Sequence, residues 1–313
     1  MKKIFKMVSP FNSNEDMLPI VFVIKKLLAF VFIFSLSMIL AEGVVIIIHY
    51  LMGYNILQGE MLSIEMMTLM KYYGFLIFMV VAILYCKFIE KRSLKSMGFN
   101  GKISDYIKGI LIGVFLLAIS VGVILCTGNI NYNGIFENIN YPIIFAFLVA
   151  FIIQGAMEET LCRGFLMISL SKKISIPLAI FISSLVFALP HFSSLFSGEF
   201  IFNFIGVINL LLVSTIFSLL IINGKNIWIA CGMHSFWNFC LFNILGLNLS
   251  GANKKAAAIF KFSTNSENIL NGGIYGIEAS IITTVVLAVY TFILVYKFKK
   301  SKEKSLDFLN LGK

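Results

Sequence analysis

The chain has 313 residues, of which 59% are hydrophobic and 13% are charged, and its mean hydropathy is +0.95. This composition excludes an ordinary soluble globular domain and predicts an all-α, polytopic membrane helix bundle. The formal net charge is +10. Because the basic residues cluster at the ends of apolar runs rather than along one face, we expect no nucleic-acid partner.

Eight apolar runs are long enough to cross a hydrocarbon core of ~30 Å, which takes about 20 helical residues. We therefore expect about eight transmembrane helices in a single bundle over 27–297, preceded by a cytoplasmic segment 1–26 and followed by a basic cytoplasmic tail 298–313. The loop 248–278 is rich in Asn, Gly and Ser, and we expect it to bend the chain before the last helix. In chain order the runs are 27–52, 72–89, 107–127, 142–170, 176–196, 201–223, 226–247 and 279–297.

Lysine and arginine are distributed unevenly among the connections between these runs. They are concentrated before the first run, around the second, fourth and sixth connections and after the last run, whereas the first, third and fifth connections are nearly free of them. Only the loop 248–278, which carries three lysines, breaks this alternation. Since cytoplasmic loops carry the excess of positive charge, both termini are predicted to be cytoplasmic. The basic residues that support this orientation include Lys25, Lys26, Lys91, Arg92, Lys299 and Lys300.

Three charged residues lie inside the fourth apolar run: Glu158, Glu159 and Arg163. Each costs roughly 2.5–3.5 kcal/mol at the centre of a membrane helix, so the group indicates a polar site inside the bundle. Glu159 and Arg163 are four residues apart, the spacing at which a carboxylate and a guanidinium form a pair on one helix face. Glu158 is then the spare acid, one turn from Gln154, and a candidate general base.

Two further motifs supply polar partners for this acid. Phe187 and His191 are four residues apart with Pro190 between them, and His234 and Asn238 repeat the spacing on a later run. Pro190 predicts the end of a helix or a kink. At a rise of 1.5 Å per residue from the cytoplasmic ends of the helices, the expected depths in the membrane are about 12 Å for His234, 19 Å for Glu158 and 22–25 Å for His191. A common site therefore requires a later start of the fifth helix, a tilt, or a break at Pro190.

The residues that are absent narrow the chemistry. None of the three aspartates lies deep in an apolar run, and the sequence contains neither HExxH nor GxSxG. What remains is a carboxylate and a histidine that can activate water, with a histidine and an amide that can stabilise an oxyanion. This set fits hydrolysis of a peptide bond. Glu158, His191 and His234 would also satisfy a catalytic zinc with three protein ligands and one open position.

The motifs Glu158-Glu159-x-x-x-Arg163, Phe187-x-x-x-His191 and His234-x-x-x-Asn238, in this order on successive apolar runs, resemble the CPBP family of intramembrane proteases. This family is also called the Abi or type II CAAX prenyl endopeptidase family. The resemblance implies a catalytic core over about 142–297. Each motif alone is weak, but three in order within membrane runs form a specific signal.

The resemblance also implies a role for each matching residue. Glu158 would activate the attacking water, His191 would hold and polarise it, and His234 with Asn238 would form the oxyanion site. Glu159 and Arg163 would be a structural pair, and Phe187 a packing residue. A mechanism without a cofactor is implied, with zinc as the alternative.

The resemblance further implies a bacterial cell membrane and a peptide or membrane-protein substrate, such as a bacteriocin precursor. The sequence does not define the oligomeric state. Two other classes of function stay open at this stage. One is a non-catalytic immunity or scaffold protein, and the other is a transporter in which Glu158 carries a proton or couples to an ion.

Overall fold

The computed structural model describes residues 7–192, 199–250, 257–264 and 266–300, and over these residues the chain is a helical membrane bundle. The predicted fold class is confirmed. The predicted segments 1–26 and 298–313 fall partly outside the described residues. The helices are α1 (Pro19–Leu51), α2 (Ile64–Phe88), α3 (Ile103–Cys126), α4 (Tyr141–Leu170), α5 (Ile176–Ala188), α6 (Phe200–Gly224), α7 (Trp228–Phe239) and α8 (Ile281–Lys300).

Within the described ranges, six of these helices are long and apolar enough to cross a membrane. The two shorter ones, α5 and α7, occupy the predicted runs 176–196 and 226–247. Helix α5 has 13 residues and passes at Leu189–His191 into a tight 3₁₀ turn. Pro190 explains this end, since proline cannot donate the next backbone hydrogen bond. The two short helices carry His191 and His234.

Two helices begin eight residues earlier than the apolar runs indicate. Helix α1 begins at Pro19, eight residues before position 27, and α2 begins at Ile64 rather than at 72. Proline is favoured in the first helical turn because its missing N–H has no partner there. Ser63 caps α2 by accepting a hydrogen bond from the backbone N–H of Met66 at 3.3 Å. The polar lead 1–26 is thus partly helical.

A buried ionic cluster joins α1, the α2–α3 connection and α4. Lys26 and Arg92, which the charge distribution alone assigns to the cytoplasmic surface, are both buried and both contact the carboxylate of Glu90. Arg92 also donates to Ser169 Oγ at 2.7 Å and to the carbonyl oxygen of Gly164 at 3.0 Å. The cluster therefore fixes the connection against the cytoplasmic half of α4, as defined by the predicted orientation.

The ionic cluster predicts that stability falls in acid. Burial by itself would raise the pKa of Glu90, but Lys26 and Arg92 outweigh it and hold this pKa below its ordinary value of 4.5. The ionised Glu90 carboxylate therefore contributes its full stabilisation above about pH 4.5, the ordinary pKa. This contribution is lost as the pH falls through the lower pKa of Glu90 in the folded protein. We expect Glu90→Gln to lower stability at pH 7 by about 3–5 kcal/mol.

The measurement is the unfolding of purified protein in detergent between pH 3.5 and pH 8, with Glu137→Gln as the control. Glu137 is exposed and takes no part in the cluster. The Glu90→Gln variant should lose less stability on acidification than the wild type does. An equal loss in both proteins would contradict the assigned role of Glu90.

A short antiparallel sheet lies where α3 ends and α4 begins, and the sequence analysis did not predict it. Strand β1 (Ile130–Ile135) pairs with β2 (Phe260–Thr264), with Tyr132 opposite Phe262 and an irregularity between Tyr132 and Ile135. Strand β2 falls in the loop 248–278, where the sequence predicted only turns. Strands this short pair residues distant in the chain, so local sequence patterns indicate them poorly.

Helix α7 packs very closely against α3, and glycines permit this contact. A methyl group added to Gly109 would lie 2.0 Å from the carbonyl oxygen of Ile229, and one added to Gly232 would lie 2.1 Å from that of Tyr106. Small residues allow membrane helices to approach backbone to backbone. This contact fixes the position of His234, two residues after Gly232.

A methyl group at this contact should separate the two helices. We expect Gly109→Ala to lower stability by about 1–3 kcal/mol, the usual cost of overpacking. The matched control is Gly122→Ala on the same helix, where nothing lies within 4 Å of the added methyl. That substitution should be neutral or slightly stabilising, because alanine favours helix over glycine. Thermal unfolding in detergent measures both, and equal effects would rule out the close contact.

Candidate active site

Helix α4 changes its hydrogen-bonding pattern at the predicted acidic motif. The helix is regular from Tyr141 to Glu159 and then π-helical over Thr160–Met167. A second π-helical stretch, Cys240–Ile244, follows the Asn238 motif on α7. Such wider turns are rare and often lie at functional sites. The carbonyl of Gly164, inside the first stretch, accepts the hydrogen bond from Arg92.

Glu159 and Arg163 form the predicted pair, and both are completely buried. Arg163 Nη1 donates to Glu159 Oε1 at 2.9 Å, and Arg163 Nη2 donates to the carbonyl oxygen of Ser214 at 3.1 Å and to its hydroxyl. The guanidinium lies over the rings of Phe187 at 4.6 Å and Phe217 at 5.2 Å. Cation–π contacts of this kind are strongest where water is excluded.

His234 is held by the same acidic residue. Its Nδ1 lies 3.0 Å from Glu159 Oε1, and its ring stacks on Phe217 with a centroid distance of 4.8 Å. The carboxylate of Glu159 pairs with Arg163 and accepts hydrogen bonds, so His234 donates through Nδ1. The other ring nitrogen, Nε2, lies 3.9 Å from Glu158 Oε2. Glu159 therefore fixes which side of the imidazole faces Glu158.

Glu158 belongs to a chain of hydrogen bonds that connects two of the predicted motifs. Asn238 Nδ2 donates to Gln154 Oε1 at 3.2 Å, and Gln154 Nε2 donates to Glu158 Oε1 at 3.0 Å. The Glu158 side chain keeps 17% of its surface exposed, whereas Glu159 has none. The two neighbouring acids thus have different surroundings, one accessible and one enclosed.

His191 lies beside this group at the end of α5. Its Nδ1 donates to the carbonyl oxygen of Phe187 at 3.2 Å, which makes Nε2 the acceptor nitrogen of the neutral ring. The Phe187 ring packs against His191 at 5.4 Å and against His234 at 5.9 Å. Helix α5 begins at Ile176, as the apolar run indicated. A later start of this helix is therefore not what brings His191 to the level of Glu158 and His234. The break at Pro190 lies directly before His191.

The site borders two cavities. A polar cavity of about 50 Å³ is bounded by His191, His234, Asn238 and Gln154. This volume holds a few water molecules at most. A larger groove of about 540 Å³ runs between α1, α2, α4 and α5. Glu158 and Pro190 both line the groove, and His191 borders both spaces.

A further buried carboxylate, Glu278, lines the polar cavity from the segment before α8. It accepts hydrogen bonds from Trp237 Nε1 at 3.2 Å and from the backbone N–H of Ser250 at 2.7 Å. Burial raises its pKa, against the effect of these hydrogen bonds and of nearby His191. Glu278 thereby ties the end of the described 199–250 segment to α7, next to the site.

In the described part of the chain, no three His, Cys, Asp or Glu side chains have a geometry that would hold a metal ion. Of the alternative zinc ligands, Glu158 Oε2 lies 3.9 Å from His234 Nε2, and His234 Nδ1 contacts Glu159, an arrangement that zinc-bound histidines also show. We derive no catalytic step through zinc.

Sequence reasoning missed several residues of the site. Ser214, Phe217 and Asn209 come from α6, which carries no motif, and Glu278 comes from a loop. Gln154 carried a signal, because it precedes Glu158 by one helical turn and so lies on the same face. The structure brings all seven predicted residues (Glu158, Glu159, Arg163, Phe187, His191, His234 and Asn238) into one cluster.

Comparison with known proteins identifies the segment that holds these seven residues. Residues 140–240 match the family model described as type II CAAX prenyl endopeptidase Rce1-like. The match bears out the predicted resemblance to the CPBP family over this segment. The match supports a membrane-embedded CAAX-type protease activity in general, with a protein substrate. No curated protein and no solved structure matches the chain.

Proposed function

We propose that this chain is an intramembrane endopeptidase of the CPBP type in which Glu158 activates water. The observation that carries the proposal is the convergence of the three motifs around an accessible carboxylate. Glu158 contacts Gln154, faces His234 and lines a groove together with His191. A general base has to be near both its water and the groups that stabilise the product charge.

In the proposed reaction Glu158 removes a proton from a water molecule that His191 Nε2 helps to orient. The water oxygen bonds to the carbonyl carbon of the peptide, and the negative charge moves to the carbonyl oxygen. The C–N bond then breaks, and Glu158 returns the proton to the leaving amine. A carboxylate that serves as base and then as acid contributes typically 10²–10⁴-fold to the rate.

The oxyanion would be stabilised by His234 and Asn238. Since His234 already donates through Nδ1 to Glu159, it can donate to an oxyanion through Nε2 only as the doubly protonated imidazolium. The carboxylates Glu158 and Glu159 on either side of the ring favour that charged form by Coulomb attraction. Asn238 uses one amide hydrogen for Gln154 and keeps a second for the oxyanion.

The proposed substrate is a peptide or a membrane-protein segment, and the proposed location is a bacterial cell membrane with both termini in the cytoplasm. The apolar walls of the groove favour an apolar stretch of polypeptide. The charge distribution along the sequence supports the orientation. Processing of a bacteriocin or another peptide precursor fits this arrangement.

The first test is cleavage of a quenched-fluorescent peptide library by protein purified in detergent, with and without a strong chelator. We expect cleavage that persists with the chelator. Loss with the chelator and recovery with zinc would instead make His191 and His234 metal ligands. If the wild type cleaves nothing, it is compared with Glu158→Ala and His191→Ala in a cellular bacteriocin-immunity assay. Full protection by Glu158→Ala and His191→Ala there would replace catalysis with a binding function.

A further inference from the structure

The groove that Glu158 lines contains two further charged residues, which the proposed mechanism does not use. Glu42 on α1 and Lys71 on α2 both line it, and both side chains are exposed to it. Within the described ranges, neither forms a hydrogen bond or an ion pair. Charged side chains inside a membrane bundle are costly and mark polar pathways or binding sites.

Glu42 and Lys71 lie at nearly the same level of the bundle. A methyl group added to Gly74 of α2 would lie 3.5 Å from the Cβ of Ala41 on α1, so these two positions face each other. The helices are consecutive and antiparallel. Glu42 is one residue beyond Ala41, and Lys71 is three residues before Gly74. Both are therefore displaced toward the same end, by about 1.5 and 4.5 Å.

The distance from this level to Glu158 follows from ring contacts between α2 and α4. Tyr72 contacts Phe151 at 5.2 Å and Tyr85 contacts Phe165 at 5.6 Å. In these two contacts the residue number on α4 exceeds that on α2 by 79 and by 80. Glu158 is therefore level with positions 79 and 78 of α2. Lys71 lies seven or eight residues earlier, which corresponds to about 10–15 Å with its long side chain.

We propose that Lys71 is a carboxylate-binding subsite for the peptide substrate. This proposal rests on the protease function proposed above. An extended chain rises about 3.3 Å per residue, so 10–15 Å corresponds to roughly three to five residues. The bound carboxylate therefore lies three to five residues from the bond hydrolysed at Glu158. Glu42, of opposite charge at the same level, balances Lys71 when the groove holds no carboxylate.

The walls of the groove identify the rest of the ligand. Between the charged level and Glu158 they are apolar and aromatic, and the groove volume of about 540 Å³ is in the range of specific small-ligand sites. A short apolar peptide with one carboxylate matches this arrangement. The carboxylate is either the C-terminus of the peptide or an Asp or Glu side chain. The aromatic and sulfur-containing wall residues include Phe30, Phe34, Met38, Phe75 and Phe78.

Binding and hydrolysis are measured separately, so that the subsite and the protease function fail independently. The binding probe is a fluorescent apolar octapeptide of Leu, Val and Phe, added to Glu158→Gln protein in detergent. Three forms are compared: a free C-terminal carboxylate, a C-terminal amide, and an amide with one internal Glu. We expect the carboxylate-bearing forms to bind about ten-fold or more tightly than the plain amide, as for hydrogen bonds to charged groups.

The variants then assign this preference to Lys71. Lys71→Met should remove it, and Lys71→Arg should retain it. Lys87→Met is the matched control, because Lys87 is exposed on the same helix and does not line the groove. Three results would overturn the subsite. The acid and amide peptides could bind equally well, or Lys71→Met could weaken the binding of both equally. Palmitate could also displace the peptide as readily as unlabelled peptide does. The absence of peptide binding would overturn the subsite as well.

Peptides that the wild type hydrolyses locate the carboxylate relative to the cleaved bond. Mass spectrometry of the products should place it three to five residues away, and Lys71→Met should raise KM about ten-fold. Cleavage with no carboxylate at this distance would reject the subsite alone. Carboxylate-dependent binding without hydrolysis would reject the protease function alone.

Discussion

Glu158→Gln is expected to lower kcat by at least 10²–10⁴-fold, the range contributed by a positioned general base. The substitution keeps the size of the side chain and an oxygen that can accept the hydrogen bond from Gln154, so the bundle should remain folded. Only the ability to take a proton from water is lost. Steady-state hydrolysis of a peptide selected from the library measures the effect.

Two controls make the result specific. Glu137→Gln introduces the same chemical change at an exposed position and should leave kcat unchanged. Thermal unfolding of Glu158→Gln should match that of the wild type, because Glu158 is not part of the buried ion pair. A folded Glu158→Gln protein with more than about a tenth of the wild-type kcat would reject Glu158 as the base.

Arg163→Met is expected to be strongly destabilising. Arg163 and Glu159 are both fully buried, and Met leaves the Glu159 carboxylate without its cation. Breaking a buried pair by removing one partner costs about 3–5 kcal/mol. Because Glu159 also holds His234 through Nδ1, activity should fall in the fraction that stays folded. Thermal unfolding in detergent and kcat per folded molecule measure the two effects.

A double-mutant cycle separates the ion pair from ordinary packing. Glu159→Gln combined with Arg163→Met removes both charges, and we expect it to recover part of the stability lost by Arg163→Met alone. It should not recover activity, because His234 then lacks its carboxylate. If the double variant is no more stable than Arg163→Met, the loss reflects packing against Phe187 and Phe217 rather than an unpaired charge.

The cluster around Arg163 illustrates what local spacing reveals. The four-residue separation predicted the Glu159–Arg163 pair, and the pair is present even though α4 turns π-helical at Thr160. Spacing did not predict that Glu159 also binds His234, because that contact joins residues 75 positions apart. It likewise did not reveal Ser214, whose helix carries no charged or motif residue to mark it.

The basic residues also show what the sequence pattern reveals and what it does not. Their distribution along the chain predicted an orientation, and it treated Lys26 and Arg92 as surface charges. The structure buries both against Glu90. A charge count cannot distinguish a cytoplasmic lysine from one that pairs with a distant carboxylate, because the count contains no information on which segments pack together.

By itself, the sequence indicated the membrane environment, the helical class and the seven motif residues that the structure brings together. These depend on properties that repeat locally: apolar length, four-residue spacing and the cost of charge in lipid. The tertiary structure alone decided that Glu159 orients His234, that Glu278 lines the polar cavity, and that Glu42 and Lys71 line the same groove as Glu158. These arrangements arise from the packing of helices distant in sequence, and side-chain periodicity within one helix does not specify its neighbours.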